Sequence, residues 1–169
     1  RIYVTPRFMG ARYRWRIRAD MISVLDAATL AVLEGPGDLS RESKAHLALY
    51  RAFAEAGAVI HAHPRYIQAF TSLGKPLEPA TEYTEKYGVI PVVAPVKAHS
   101  QALADGVVEA MEGLREGFAS HGLAVLLARH GIITMGRDLD EAYDTLERME
   151  VNARCAIYGA VLRLAEVRP

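Results

Sequence analysis

Cysteine is almost missing from this sequence. Cys155 is the single thiol in 169 residues, so no disulfide can close within the chain and no thiolate cluster can hold a metal. Any metal must therefore rest on histidines and carboxylates. Net charge is missing as well: 20 Lys and Arg offset 20 Asp and Glu, and no basic surplus points to a nucleic-acid partner. No apolar run reaches the roughly 18 to 20 residues needed to span a bilayer, and no charged start with a short apolar core marks a signal peptide. A cytoplasmic protein with no membrane partner is the expectation. An initiating Met is lacking too. The chain opens on Arg1 in strand-like sequence, which suggests that a leading segment is missing or was processed away.

What is present has the make-up of a globular protein, with 51% hydrophobic and 24% charged residues. The length fits one domain over residues 1–169, large enough to bury a core. Arg1 to Thr5 reads as a strand. Arg12 to Val24 reads as another, because Arg12, Arg14, Arg16 and Arg18 alternate with Tyr13, Trp15 and Ile17, giving a basic and an apolar face. Gly35-Pro36-Gly37-Asp38 makes a turn, and Ser40 is placed to cap a helix that runs to Ala56 and stops at Gly57. Ala58 to His63 is a short apolar run ending in two histidines, with a brief helix after Pro64 up to Leu73. An irregular stretch punctuated by Pro76, Pro79 and Gly88 leads to a strand over Val89 to Val96. A helix follows, with Leu103, Val107, Met111, Leu114 and Phe118 on one face. Leu123 to Ala128 and Ile132 to Met135 are strands flanking His130-Gly131. A long helix then covers Asp138 to Leu164, with Leu139, Ala142, Leu146, Met149, Ala153, Ile157 and Leu164 as its apolar stripe. This order predicts a sheet covered by helices, and pattern alone leaves strand order open.

The chemistry concentrates in the histidines. In an extended His61-Ala62-His63 both rings project from the same sheet face and could grip one ion. A catalytic site commonly takes three protein ligands and leaves a position open, so a third is required. His130 is the best candidate, at a strand end beside Gly131, where a turn can expose it. A lone His-x-His is more often a pair of ordinary core or surface residues. Glu42 suits a first helical turn, where the dipole and unpaired N–H groups favour a carboxylate, and its plain reading is a capping charge. Ser40, Arg41 and the same N–H groups could cradle a phosphate or carboxylate. His46 fits either a role behind the metal ligands or partial burial against the sheet. His99 and His121 read as surface residues.

Three stretches carry a family resemblance: Ser40-Arg41-Glu42 with His46 and Tyr50, the run Ala58-Val59-Ile60-His61-Ala62-His63-Pro64, and Ala128-Arg129-His130-Gly131 leading to Gly136. Asp138-Leu139-Asp140-Glu141-Ala142 and the Glu147 to Glu150 stretch extend it, so nearly all of the chain is covered. The sequence resembles the class II aldolase/adducin family. The resemblance implies an α/β fold, a three-layer α/β/α single domain with a central, mostly antiparallel sheet, assembled as a homotetramer with sites at subunit interfaces. It also implies a divalent metal held by His61, His63 and His130, zinc first, with Mn2+, Co2+ or Fe2+ as alternatives. Glu42 is then a ligand and acid/base, and Tyr83, which follows Pro79 at a matching distance, is a proton donor reaching a neighbouring subunit.

Some positions depart from the family pattern. Arg41 stands where a second serine is usual, Arg7-Phe8 replaces Ser-Gly after Thr5-Pro6, and the only asparagine is Asn152, so the family's upstream Gly-Asn segment is not found. Arg41 and Arg7 tilt the expectation toward an acidic small-molecule substrate that need not be a sugar phosphate. The implied activity is a metal-dependent lyase, first an aldolase cleaving a hydroxy-carbonyl substrate through a metal-stabilised enediolate. Decarboxylation, dehydration and epimerisation are alternatives on the same scaffold. The rivals from other classes are an iron-dependent oxygenase and an adducin-like binding module, the latter disfavoured because all four candidate ligands are present.

Overall fold

A computed structural model describes residues 1–166; the last three residues of the expected 1–169 domain lie outside the described residues. Two compact units divide the chain, one from Arg1 to Lys44 and one from Ala45 onward. No helix among the described residues is long and apolar enough to cross a membrane.

In the first unit β1 (Ile2–Val4), β2 (Ser23–Leu25) and β3 (Val32–Glu34) form an antiparallel sheet in that order, with Tyr3 opposite Val24 and Leu25 opposite Val32. The expected strand over Arg12 to Val24 does not form. Helix α1 (Met9–Tyr13) takes up its start and a 3-10 turn at Ala19–Met21 interrupts it further on, leaving only Ser23 and Val24 in a strand, β2. Phe8, Arg14 and Trp15 take φ angles of 59, 50 and 62°, left-handed conformations that an extended alternation cannot accommodate. Three arginines of the region pair with nearby carboxylates: Arg7 and Arg12 share Asp38, and Arg18 pairs with Asp20. An Asp26 carboxylate oxygen accepts from the backbone N–H groups of Ala28 and Thr29 and from the Thr29 hydroxyl, and this turn sends the chain into β3.

In the second unit a four-stranded sheet runs in the order β4 (Ala58–Ala62), β7 (Gly131–Gly136), β6 (Leu123–Leu127), β5 (Val92–Val93). Only the β5–β6 pair is parallel. Alternation divides its side chains between two cores. Leu123, Val125, Leu127, Ile133 and Met135 face α2 (Ser43–Ala52) and α5 (Gln101–Glu112), packing on Ala45, Leu49, Phe53, Leu103, Val107 and Met111. Ala124, Leu126 and Ile132 face α3 (Ile67–Leu73) and α6 (Leu139–Glu166), meeting Ile67, Met149 and Ala153. Three layers, α/β/α around a mostly antiparallel sheet, are thus the observed architecture.

Several expected elements are shorter than their patterns. Helix α2 starts at Ser43 instead of directly after Ser40 and ends at Ala52 instead of Ala56; at its start Ser43 N–H bonds back to the Ser40 carbonyl (3.1 Å) and Glu42 N–H reaches the Ser40 hydroxyl (3.4 Å), a turn that precedes the helix. The strand over Val89 to Val96 shrinks to two residues, since Pro91 and Pro95 flank it and have no N–H to give a ladder. Helix α5 ends at Glu112, and Gly113 leads into a separate 3-10 turn, Arg115–Ala119. The stretch expected to be irregular contains α4 (Glu82–Glu85). Helix α6 matches its expected span, capped by Asp138, whose carboxylate accepts from Glu141 N–H at 2.7 Å. Ala142, Met149 and Ala153 of its stripe are buried, whereas Leu139 and Leu164 are exposed. His121, expected at the surface, is buried against the Tyr87 ring, with its ring nitrogens 2.8 and 3.0 Å from the carbonyl oxygens of Gly122 and Lys86.

Candidate metal centre

The antiparallel pairing of β4 with β7 brings two distant parts of the chain to one sheet end. His61 lies opposite Ile133 and Ala62 opposite Ile132, so the end of β4 meets the start of β7 and the loop before it. That loop is Ala128-Arg129-His130, closed by the Leu127–Gly131 pair, with Arg129 in a left-handed conformation. Gly131 permits the approach. A Cβ built there would stand 2.3 Å from the Ala62 carbonyl oxygen and 2.8 Å from the His63 ring, distances no side chain tolerates. His61 has the same parity along β4 as Val59, so it points to the α2/α5 side of the sheet.

Ligand atoms of His61, His63 and His130 all lie within 4.8 Å of one another. Ring centroids stand 4.6 Å apart for His61–His63, 4.7 Å for His61–His130 and 5.1 Å for His63–His130. The Nε2 atoms of His61 and His63 are 3.1 Å apart, near the roughly 3.3 Å that separates two nitrogens bound tetrahedrally to one ion at about 2.0 Å. His61 Nδ1 lies 3.0 Å from the Ile132 carbonyl oxygen, which can only accept, so Nδ1 carries the proton and the Nε2 lone pair faces the cluster. The His61 imidazolium is strongly disfavoured. Burial first, then the neighbouring His130, His63 and His46, push its pKa down to about 3. A three-imidazole donor set fits a divalent cation of the zinc type, and the triad could bind one.

His46, on α2, adds a buried group nearby. The residue is partly exposed, but its Nε2 is sealed from solvent with no hydrogen-bond partner, and burial pushes its pKa down to about 4. Ser40, Arg41 and Glu42 belong to the first unit. Glu42 is buried immediately before α2, and Arg41 is exposed with its guanidinium 5.9 Å from the Phe8 ring centre. Arg7, considered with Arg41 as an anion contact, is instead paired with Asp38. Tyr83 is exposed on α4, with the Arg148 guanidinium 5.7 Å from its ring centre. Asn152 holds that segment, accepting from Ala80 N–H and the Thr84 hydroxyl and donating to the Glu78 carbonyl. Sequence reasoning missed the Ile132 carbonyl and Asn152. The carbonyl leaves no trace in residue identity, whereas Asn152 stood out as the only asparagine.

Comparison with known proteins adds to this geometry. Residues 2–157 match the class II aldolase and adducin N-terminal domain. The chain belongs to the class II aldolase and adducin family. Among relatives in this family, a 3-oxo-tetronate 4-phosphate decarboxylase of Haemophilus influenzae is 30% identical over 160 residues, which is 91% of this chain and 70% of that protein. An L-fuculose phosphate aldolase of Methanococcus maripaludis is 32% identical over 152 residues, 88% of this chain and 74% of that one. Among solved class II aldolase structures, an L-fuculose 1-phosphate aldolase superposes with a TM-score of 0.77 at 29% identity, covering 96% of this chain and 70% of that chain. Family and fold thus agree with the α/β architecture expected from the resemblance.

Proposed function

We propose that this chain is a divalent-metal-dependent lyase that breaks a carbon–carbon bond next to a carbonyl, with aldol cleavage of a phosphorylated hydroxy-carbonyl compound as its reaction. The observation that carries this reading is the convergence of three imidazoles with the His61 tautomer fixed by the Ile132 carbonyl. His61, His63 and His130 would hold the cation, zinc before Mn2+, Co2+ or Fe2+. A bound divalent cation supplies Lewis acidity toward a carbonyl oxygen and an adjacent hydroxyl. Glu42 returns a proton to the carbon left electron-rich when the carbon–carbon bond breaks, and the Tyr83 phenol handles the proton of the hydroxyl that becomes the aldehyde, taking it in cleavage and giving it back to that oxygen in the reverse, condensing direction. The exposure of Tyr83 suits reach into a neighbouring copy within a homotetramer. Ser40 and Arg41 bind the substrate anion, a role that the exposed guanidinium supports. Residues 1–169 act as one cytoplasmic catalytic domain in this reading, and the family match running through both compact units favours it.

Decarboxylation is the second reading, favoured by the similarity to a 3-oxo-tetronate 4-phosphate decarboxylase. Both reactions leave charge on the carbon next to the carbonyl, so one site can serve either. Elemental analysis of purified protein, followed by parallel assays with L-fuculose 1-phosphate and 3-oxo-tetronate 4-phosphate, tests both. Aldehyde release from the first or carbon dioxide from the second, abolished by a chelator and restored by metal, is the expected result. Protein that binds no divalent metal and turns over neither compound would refute the reading.

A further inference from the structure

Of the three clustered histidines, His63 is the one its own strand secures least. His61 sits within the β4–β7 ladder and is tied through Nδ1 to Ile132. His130 is fixed by its N–H bond to the Leu127 carbonyl (3.0 Å) in a closed three-residue loop. The ladder of β4 ends at Ala62, one residue short of the exposed His63, and the next residue, Pro64, has no N–H to give. Three and four residues beyond His63, the backbone is gripped from far along the chain. Both carboxylate oxygens of Glu150 accept from Tyr66 N–H (2.9 and 3.1 Å), and one also accepts from Ile67 N–H (3.0 Å).

Glu150 stands on a rigid base. Met149 and Ala153 beside it on α6 are fully buried, and they share a core with Ile67, the residue whose N–H it holds. Charge-assisted bonds of this kind are roughly twice as strong as neutral ones, so the carboxylate fixes the Pro64–Ile67 turn more firmly than an amide would. We propose that Glu150 is a positioning residue for the metal ligand His63: by clamping the turn that follows, it holds that imidazole in the cluster. The inference rests on the reading that the three histidines bind a divalent cation. Groups that orient metal ligands from behind typically contribute 10- to 100-fold to metal affinity.

The alternative is that Glu150 merely caps α3 and serves stability alone. Cation affinity, measured by Zn2+ and Co2+ titration against a competing chelator, separates the two when read beside melting temperature. The proteins are the wild type, Glu150→Gln, Glu150→Asp and Asp138→Ala, the last removing the cap at the start of α6. Glu150→Gln should weaken Zn2+ binding by about 10- to 100-fold and alter the visible absorption of the Co2+ form. Asp138→Ala should lower melting temperature with affinity unchanged. Glu150→Asp, which keeps the charge but shortens its reach, should lie between wild type and Gln, and it carries the test if the Gln variant does not fold. Wild-type affinity and Co2+ spectrum in a less stable Glu150 variant would overturn the positioning role while leaving the metal reading intact. Wild-type protein that binds neither cation would overturn both.

Discussion

Glu42 is where a catalytic and a structural role give different numbers. Gln keeps the size and part of the hydrogen bonding of Glu but cannot take a proton at neutral pH. If Glu42 moves the substrate proton, Glu42→Gln should lose about 10²- to 10⁴-fold in turnover while keeping its metal, because three imidazoles remain. If it only caps α2, turnover stays near normal and stability changes by at most about 1 kcal/mol. Metal content, melting and turnover measured on that one variant decide between them. His46 gives a pH prediction. Folding holds it neutral down to about pH 4, whereas an unfolded histidine takes up its proton near 6.5. Between those values the unfolded chain binds more protons, so the contribution is fully present above pH 6.5 and is lost as pH falls toward 4. The shift corresponds to roughly 3 kcal/mol. His46→Leu should therefore narrow the gap in metal-free melting temperature between pH 7 and pH 4.5. An unchanged gap would assign the acid sensitivity to other groups, His61 first, since its pKa is lowered in the same direction.

Among the elements, the β6–β7 hairpin makes a close steric demand on sequence at its turn. Gly131→Ala places a methyl against the Ala62 carbonyl and the His63 ring, so we expect a loss of about 1 to 3 kcal/mol together with reduced metal retention. Gly113→Ala is the control, because its added Cβ would come no closer than 3.5 Å to another atom. Urea unfolding midpoints and metal content of the two variants test this, and equal behaviour would remove the steric reading of Gly131. The same elements explain what was readable beforehand. Two-residue spacing placed His61 and His63 on one face, and a glycine after His130 marked the turn, both local signals. The long stripe of α6 was likewise plain. The Arg12 to Trp15 region misled because its alternation is real, while the left-handed backbone that breaks it is taken by Arg14 and Trp15, residues whose identity gives no hint of it. Strand β3 was missed because three residues are too few to display a period. The Ile132 contact depends on register, which no single strand encodes.

For the molecule as a whole, the triad lies entirely in the unit that begins at Ala45, and it joins segments about seventy residues apart. A cation at 100 times its dissociation constant should stabilise that unit by about 2.7 kcal/mol. Hydrogen exchange in β4, β6 and β7 should slow on metal addition and return to its original rate with chelator; rates indifferent to metal would argue that the histidines do not bind it. The β4–β7 ladder has a further consequence for how the chain reaches this structure. Side chains alternate faces at every residue, so a slip of one position that kept the pairing would turn His61 and His63 toward α3 and α6 and bring Ile60 and Ala62 to the α2/α5 side. His130, anchored in its own hairpin, would then face two aliphatic neighbours. The cluster thus works as a gauge of strand alignment: a cation can be gripped by all three rings only in a molecule whose sheet has been assembled without an offset.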